Sequence, residues 1–347
     1  MRAAVISVLG LAALAVVSLT AILMQRGHSS ASTVPVANAA LSVPSSNTTP
    51  AQATAPRVSL PAYSESTGSI VPALLPASVP ETPFADLSTC RSNSAVLGVS
   101  RMVEIDTTDG PGFGFEHFKE HDFLHDKEVV LTFDDGPWPH NTPAVLAALA
   151  AHCIKATFFP IGKHAIWHPE ILRQVAQDGH TIGSHTWSHA DLSKKSPEEA
   201  KREIEMGASA VHMAVGGKTA PFFRFPALRH PPEMVTYLGQ RNVAIFSCDM
   251  DSFDFAMRKP DQVIRSVMNK LAKHGKGIIL MHDFQRATAE ALPELLNQLK
   301  ANGYKIVHMV PKAPLQTLAQ YDEMVQKENK LPTVSLRPTS SVVRSIP

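Results

Sequence analysis

From Lys127 to about Val310 short apolar runs alternate with longer amphipathic segments, and this alternation constrains the fold more than any other feature. Seven runs read as strands: Val129–Phe133, Ala156–Phe159, Thr181–Ser184, Phe222–Phe225, Val243–Ser247, Gly277–Met281 and Lys305–His308. Helix signals lie between them. Thr142-Pro143 supplies an N-cap and N1 proline before AVLAALAAH, and Pro169 opens a helix that stops at Gly179. Ser196-Pro197-Glu198-Glu199 is a capping box for a helix running to about Val215. Further helices are expected near Pro232–Gln240, Pro260–Lys273 and Thr288–Ala301, the last closed by Asn302-Gly303. Strands alternating with helices predict an α/β fold with a parallel sheet, either a closed barrel or an open doubly wound one. In both, ligands gather at the C-terminal ends of the strands.

That rule sorts the ionisable residues. Asp134 and Asp135 follow the first run, His185 and His189 the third, and Arg224 and Pro226 end the fourth. Asp249 to Asp254 follow the fifth, and His282 and Asp283 the sixth. In Thr132-Phe133-Asp134-Asp135-Gly136-Pro137 two adjacent carboxylates stand at the rim of an apolar core. Such a pair costs free energy unless a cation or a proton offsets it. Alone, Asp-Asp-Gly-Pro is better read as a turn in which Asp side chains cap the backbone. His185-Thr186-Trp187-Ser188-His189 places two imidazoles four residues apart, just past a strand. Two His and one carboxylate make a three-ligand set that leaves coordination positions open, as catalytic metal sites do. In a chain with 16 His the pair alone is a weak signal; joined to Asp135 it is a strong one.

Over roughly Lys127 to Pro311 the chain resembles the polysaccharide deacetylases of the NodB-homology type, also called carbohydrate esterase family 4. The motifs occur in order: TFDDGP at Thr132–Pro137, His-(Ser/Thr)-x-x-His at His185–His189, Arg-x-Pro at Arg224–Pro226, an Asp-rich element at Asp249–Asp254, and Leu-x-His at Leu280–His282. The resemblance implies a distorted (β/α) barrel of about seven parallel strands. It also implies removal of N-acetyl groups from N-acetylglucosamine-containing glycans: chitooligosaccharide, peptidoglycan or exopolysaccharide. The family includes O-acetyl esterases on xylan, so that activity is the rival reading. Carried over residue by residue, Asp135, His185 and His189 would bind a divalent metal, zinc first, with cobalt, nickel or manganese suiting the same ligands. The metal would polarise the acetamide carbonyl and lower the pKa of a bound water. Asp134 would take the proton of the attacking water, and His282 would protonate the leaving amine. The backbone N–H of Ala227 would help hold the oxyanion. Arg224 would orient Asp134 and keep it ionised, and Asp254 would raise the pKa of His282.

Two motifs depart from the family pattern. Arg224-Phe225-Pro226-Ala227-Leu228 lacks the aromatic-Gly pair that often follows Arg-x-Pro, and Asp254-Phe255 stands where Asp-Trp is frequent. Phe255 can fill part of the acetyl-methyl pocket without the indole N–H, and Leu280 and Trp138 complete the expected substrate-binding set. Phe253 and Phe284 are further candidates for stacking on sugars. Asp249 and Asp251 are alternatives to Asp254. A third reading is a catalytically silent glycan-binding module, which the presence of Asp134, the metal ligands, Arg224 and His282 argues against.

The rest of the chain serves other ends. Ala3 to Met24 carries no charge and is bracketed by Arg2 and Arg26. It matches the about 20 residues of a membrane-spanning helix better than the shorter apolar core of a cleaved signal. Residues 1–26 are therefore expected to be a transmembrane signal-anchor in the bacterial inner membrane, with the catalytic domain on the periplasmic side. If the segment is cleaved, the protein is secreted. Residues 27–83, rich in Ser, Ala, Pro and Thr, read as a disordered linker. The chain then divides into an N-terminal extension (84–126), the deacetylase domain (127–311) and a polar C-terminal tail (312–347), with a short helix near Leu318. His117, His121 and His125, spaced by four among Glu and Lys, read as a solvated face. A net charge of +1 gives no nucleic-acid footprint, and an acetylated glycan is the expected partner. The three cysteines form no disulfide framework; Cys90 with Cys153 is the pair expected if one forms.

Overall fold

A computed structural model describes residues 96–329. These hold strands β1 (Val99–Ile105), β2 (Gly112–Phe113), β3 (Glu128–Asp134), β4 (Thr157–Phe159), β5 (Thr181–Ile182), β6 (Phe222–Phe223), β7 (Ala244–Phe246), β8 (Met250–Asp251), β9 (Gly277–His282) and β10 (Lys305–Pro311). The helices are α1 (Asn141–Ala151), α2 (Gly162–Trp167), α3 (Pro169–Gln177), α4 (Pro197–Val215), α5 (Pro232–Gln240), α6 (Pro260–His274), α7 (Arg286–Ala301) and α8 (Ala319–Asn329). Each of the seven expected runs carries a strand. All strand pairings are parallel, in a larger sheet ordered β1-β10-β3-β4-β5, with β9 also on β3 and β8 on β9. A second sheet, β2-β7-β6, joins it through the bridge Ser184–Phe223. The expected barrel is thus two bridged sheets rather than one closed sheet. Among the described residues no ladder links β7 to β8.

Strands β3 and β9 are buried along their whole length, which explains the unbroken apolar runs Val129–Leu131 and Ile278–Met281 within them. Alternate side chains serve two cores. Leu131, Phe133, Ile279 and Met281 face outward against Val145, Leu149, Leu172, Val267 and Leu292 of the helices. Val130 and Ile278 face inward with Phe159, Phe222, Phe246, Val307 and Met309, so both sheets share one interior. The β3–β9 register pairs Thr132 with Leu280 and Asp134 with His282. The inward face that is apolar at its base therefore ends in a carboxylate beside an imidazole.

The helix caps mix agreement with surprise. Ser196 forms the capping box with Glu199, and Gly216 closes α4 in the left-handed conformation. Thr142 does not cap α1. Its hydroxyl accepts the Trp138 N–H and donates to Asp283, and His140 takes the cap position without a side-chain bond.

Other expectations meet the structure with mixed results. The extension before residue 127 is part of the sheets, since β1 pairs with β10 and β2 with β7. The polar tail carries the short helix expected near Leu318 as α8, whose Tyr321, Met324 and Val325 pack on Met206, Ala210 and Met213 of α4. Three apolar residues in a polar segment are a faint signal, and tertiary packing supplies the rest. The histidines at 117, 121 and 125 are exposed, as a solvated face requires, though they share no helix. His117 bonds Ser247 and packs on the His230 ring, while His121 lies against Phe113. Cys153 is disulfide-bonded and Cys248 is a buried free thiol. The expected partner Cys90, the expected span Ala3–Met24 and the linker lie outside the described residues. Among the described residues no helix is long and apolar enough to cross a membrane.

Helix α4 positions the loop after β5 by close approach. A Cβ on Gly207 would come 2.4 Å from the backbone carbon of Thr186. Gly207→Ala is therefore expected to destabilise the protein by about 1–3 kcal/mol in urea denaturation and to weaken divalent-metal affinity. An unchanged midpoint and affinity would show that the loop does not depend on this contact.

Candidate active site

Five strand ends, those of β3, β5, β6, β8 and β9, deliver the site, and several leave the strand through left-handed residues: Asp135 (φ 72°), Thr186 (φ 64°), His189 (φ 57°) and Ala227 (φ 51°). Such conformations cost on the order of 1 kcal/mol or more each outside glycine and persist where the surroundings over-determine them. Thr186 shows how. Its hydroxyl accepts the His189 N–H at 3.0 Å, its carbonyl accepts the Gly162 N–H at 2.9 Å, and Gly207 packs on its backbone.

Among the described residues Arg224 is the largest wholly buried side chain, at 0% exposure. Its guanidinium donates to Asp134 Oδ1 at 2.8 Å, Thr132 Oγ1 at 2.7 Å, the Phe246 carbonyl at 3.1 Å and the Ser247 carbonyl at 2.8 Å. Its carbon also lies 4.4 Å from the centroid of the Phe159 ring. Four hydrogen bonds and a cation–π contact offset the desolvation of a buried cation. Asp134, itself buried, is left with Oδ2 facing His185 Nε2 at 3.9 Å.

The backbone of the same arginine fixes the first histidine. His185 Nδ1 lies 2.7 Å from the Arg224 carbonyl oxygen. A carbonyl only accepts, so Nδ1 carries the proton and Nε2 keeps its lone pair, the tautomer a metal ligand needs. Burial lowers the His185 pKa against the pull of Asp134 and Asp135, which keeps the ring neutral. Asp135 Oδ1 lies 3.5 Å from His185 Nε2 and 3.4 Å from His189 Nε2. That oxygen is buried and has no hydrogen-bond partner. An orphaned carboxylate oxygen between two imidazole nitrogens fits a divalent cation. Among the described residues these three form the one group with metal-ligand spacing.

On the other side, His282 Nε2 lies 3.9 Å from Asp135 Oδ2. Its Nδ1 bonds Asp254 Oδ1 at 2.6 Å, and its backbone N–H donates to Asp254 Oδ2 at 2.8 Å. The Thr288 hydroxyl donates to the same carboxylate. Burial opposes the imidazolium, yet the bond to Asp254 and the charges of Asp254, Asp135 and Asp134 push the His282 pKa up to about 9. Burial likewise opposes ionisation of Asp254, and His282 overcomes it, holding the carboxyl below its usual range. The alternatives to Asp254 are engaged elsewhere: Asp249 accepts the Phe115 and Ile278 N–H groups, and Asp251 accepts that of Phe253.

The profile of the polysaccharide deacetylase family matches residues 122–245. A chitooligosaccharide deacetylase of Bradyrhizobium sp. (strain ANU 289) is 30% identical over 200 residues, 54% of this chain and 90% of that protein. The chain belongs to the polysaccharide deacetylase family. A peptidoglycan-N-acetylglucosamine deacetylase, PgdA of Listeria monocytogenes, is 34% identical over 187 residues, 52% of this chain and 38% of that protein. The chain thus spans well under half the length of that relative. Among solved structures, the Bdellovibrio bacteriovorus peptidoglycan deacetylase Bd3279 matches with a TM-score of 0.58 at 33% identity, covering 64% of this chain and 62% of that one.

In this member of the family the expected substrate-binding residues occupy different depths. Ala227 and Phe255 are exposed, and Phe255 meets the His282 ring edge-on at 5.7 Å. Trp138 is 38% exposed. Leu280 is buried on the same strand face as His282, one layer down, and forms floor rather than wall. What the sequence missed are contacts made to backbone atoms and loop hydroxyls. His164 Nδ1 donates to the Asp135 carbonyl at 2.6 Å. Asp283 accepts the Gly136 N–H at 3.0 Å and the Thr142 hydroxyl at 2.6 Å. No spacing rule links these positions.

Folding raises the pKa of His282, so its contribution to stability is fully present below pH 6.5 and lost as pH rises through about 9. NMR titration of metal-free protein should give a midpoint near 9 for His282. In Asp254→Asn it should fall to near or below the ordinary 6.5. A midpoint that stays near 9 in the variant would rule out Asp254 as the cause.

Proposed function

We propose that this chain hydrolyses N-acetyl groups from N-acetylglucosamine-containing glycans, with Asp134 as base and His282 as acid. The observation that carries the reading is the β3–β9 register, which sets Asp134 and His282 side by side with an orphaned Asp135 oxygen between two imidazoles. A divalent cation held by Asp135, His185 and His189 would supply Lewis-acid polarisation of the acetamide carbonyl and make nearby water more acidic. Asp134, oriented by Arg224, takes a proton from the attacking water. The Ala227 N–H, at the exposed rim, offers a donor to the developing oxyanion. His282, protonated through Asp254, delivers a proton to the departing nitrogen. Acetate and a free amino sugar result.

Two paired environments drive the acid and base roles apart, as acid–base catalysis at neutral pH requires. A cationic imidazole matters more for an amine leaving group than for the alcohol of an ester, which favours the N-deacetylase over the O-acetyl esterase reading. The names of the Listeria and Bradyrhizobium relatives support the same glycan class. The finer fold reading, a distorted barrel, accords with two bridged parallel sheets around one interior.

The test is acetate release from acetylated chito-oligosaccharide and acetylated xylan, assayed side by side. The metal-loaded protein should release acetate from the first. Asp134→Asn should reduce kcat by at least about 100-fold, the usual scale for a lost general base, while retaining bound metal. Release from xylan alone would refute the amide reading. Undiminished activity in Asp134→Asn would remove the base.

A further inference from the structure

At the starts of β5 and β6, the opposite ends from those that carry His185 and Arg224, lies a cavity of about 330 Å³. It forms where His180–Ile182, Lys218–Ala220 and Pro311–Pro314 meet, and the proposed catalysis does not use it. Its size is at the lower end of small-molecule sites. Ile182, Ala220, Pro311 and Pro314 give it apolar walls, and among the described residues no carboxylate lines it. Two donors there lack partners of their own. His180 is 8% exposed, and its Nδ1 accepts the Ala156 N–H at 3.1 Å. The ring proton therefore sits on Nε2, which meets no acceptor among the described residues. Burial, with the charges of Lys155 and His308, pushes the His180 pKa down to about 3, so the ring is a neutral donor at neutral pH. The second donor is Lys218, exposed and without an ion-pair partner among the described residues. Lys312, by contrast, is neutralised by Asp106 at 2.8 Å. The Thr181 hydroxyl is likewise spent, donating to the Met309 carbonyl at 2.6 Å and accepting from His308 Nε2 at 3.0 Å.

We propose that this cavity binds a small monocarboxylate, with its carboxylate on the His180 Nε2–H and the Lys218 ammonium and its apolar body against the proline walls. Charge decides the class. One unpaired ammonium balances one negative charge, and a neutral imidazole adds a hydrogen bond without adding charge. A phosphate, close to doubly charged at neutral pH, would bring a second charge that no unpaired group lining the cavity offsets. The apolar walls reward a ligand that carries a short hydrocarbon body behind its carboxylate. The inference stands apart from the glycan reading, because no residue lining the cavity belongs to the reaction centre.

The test uses the full-length protein with sodium butanoate, butanamide and inorganic phosphate as probes, read by heteronuclear NMR of the histidine rings. Butanoate should shift the His180 Nε2–H signal with a millimolar Kd, the range open to a ligand of so few atoms. Lys218→Met, a change at an exposed side chain, should weaken that binding about tenfold, the scale of one lost charge-assisted hydrogen bond. It should leave acetate release from acetylated chito-oligosaccharide unchanged. Butanamide, which keeps the shape and lacks the charge, should bind at least about tenfold more weakly than butanoate. A His180 signal that butanoate does not move overturns the site, and so does equal butanoate affinity in Lys218→Met and wild type. Butanamide binding as tightly as butanoate overturns the anion, and phosphate binding more tightly overturns the monocarboxylate class. Butanoate held at His180 by a protein that releases no acetate from any probe glycan would refute the deacetylase reading and leave this site standing.

Discussion

A single buried arginine organises the site twice over. The Arg224 side chain holds Asp134 in an ion pair, and the Arg224 carbonyl selects the tautomer of His185. A guanidinium at zero exposure carries a desolvation penalty of several kcal/mol, so it persists only with nearly every donor engaged. Thr132, Asp134, Phe246 and Ser247 meet that need, and they come from two strand regions, β3 and the end of β7, one in each sheet. The arginine that orients the proposed base thus also ties the two sheets together. Removing it would leave a buried carboxylate unpaired, the more damaging half of breaking such a pair.

The imidazole side is built on the same logic with the charges exchanged. Asp254, wholly buried, accepts two bonds from His282 and one from Thr288. On one strand a cation steadies a carboxylate, and on its neighbour a carboxylate steadies an imidazolium. Parallel register then sets Asp134 beside His282. Asp135 stands between them, its Oδ1 turned to the two other imidazoles and its Oδ2 to His282.

Much of this was legible in the sequence, because strands alternating with helices leave few architectures and each shares a ligand-binding end. Residues immediately after strands, such as Asp134, Asp135, His185 and His282, could be placed by that rule alone. The same rule brought Arg224 and the Asp249–Asp254 run to that face, but their roles came from the family motifs, and only the contacts of Asp254 separate it from Asp249 and Asp251. What stayed hidden were contacts made to backbone atoms across the fold. His164 reaching the Asp135 carbonyl and Asp283 reaching the Gly136 amide depend on loop geometry that no periodicity encodes. Helix α8 was expected near Leu318, but its docking on α4 was not, since that depends on three apolar residues in a polar segment.

The central claim is that Asp135, His185 and His189 are gathered to hold a cation between the proposed base and the proposed acid. Anomalous diffraction at the zinc edge from zinc-loaded crystals tests it most directly. The account predicts one peak in contact with Asp135 Oδ1, His185 Nε2 and His189 Nε2, at the roughly 2.0–2.2 Å typical of zinc with these ligands. Crystals with no peak there, or with a peak held by other side chains, would contradict it.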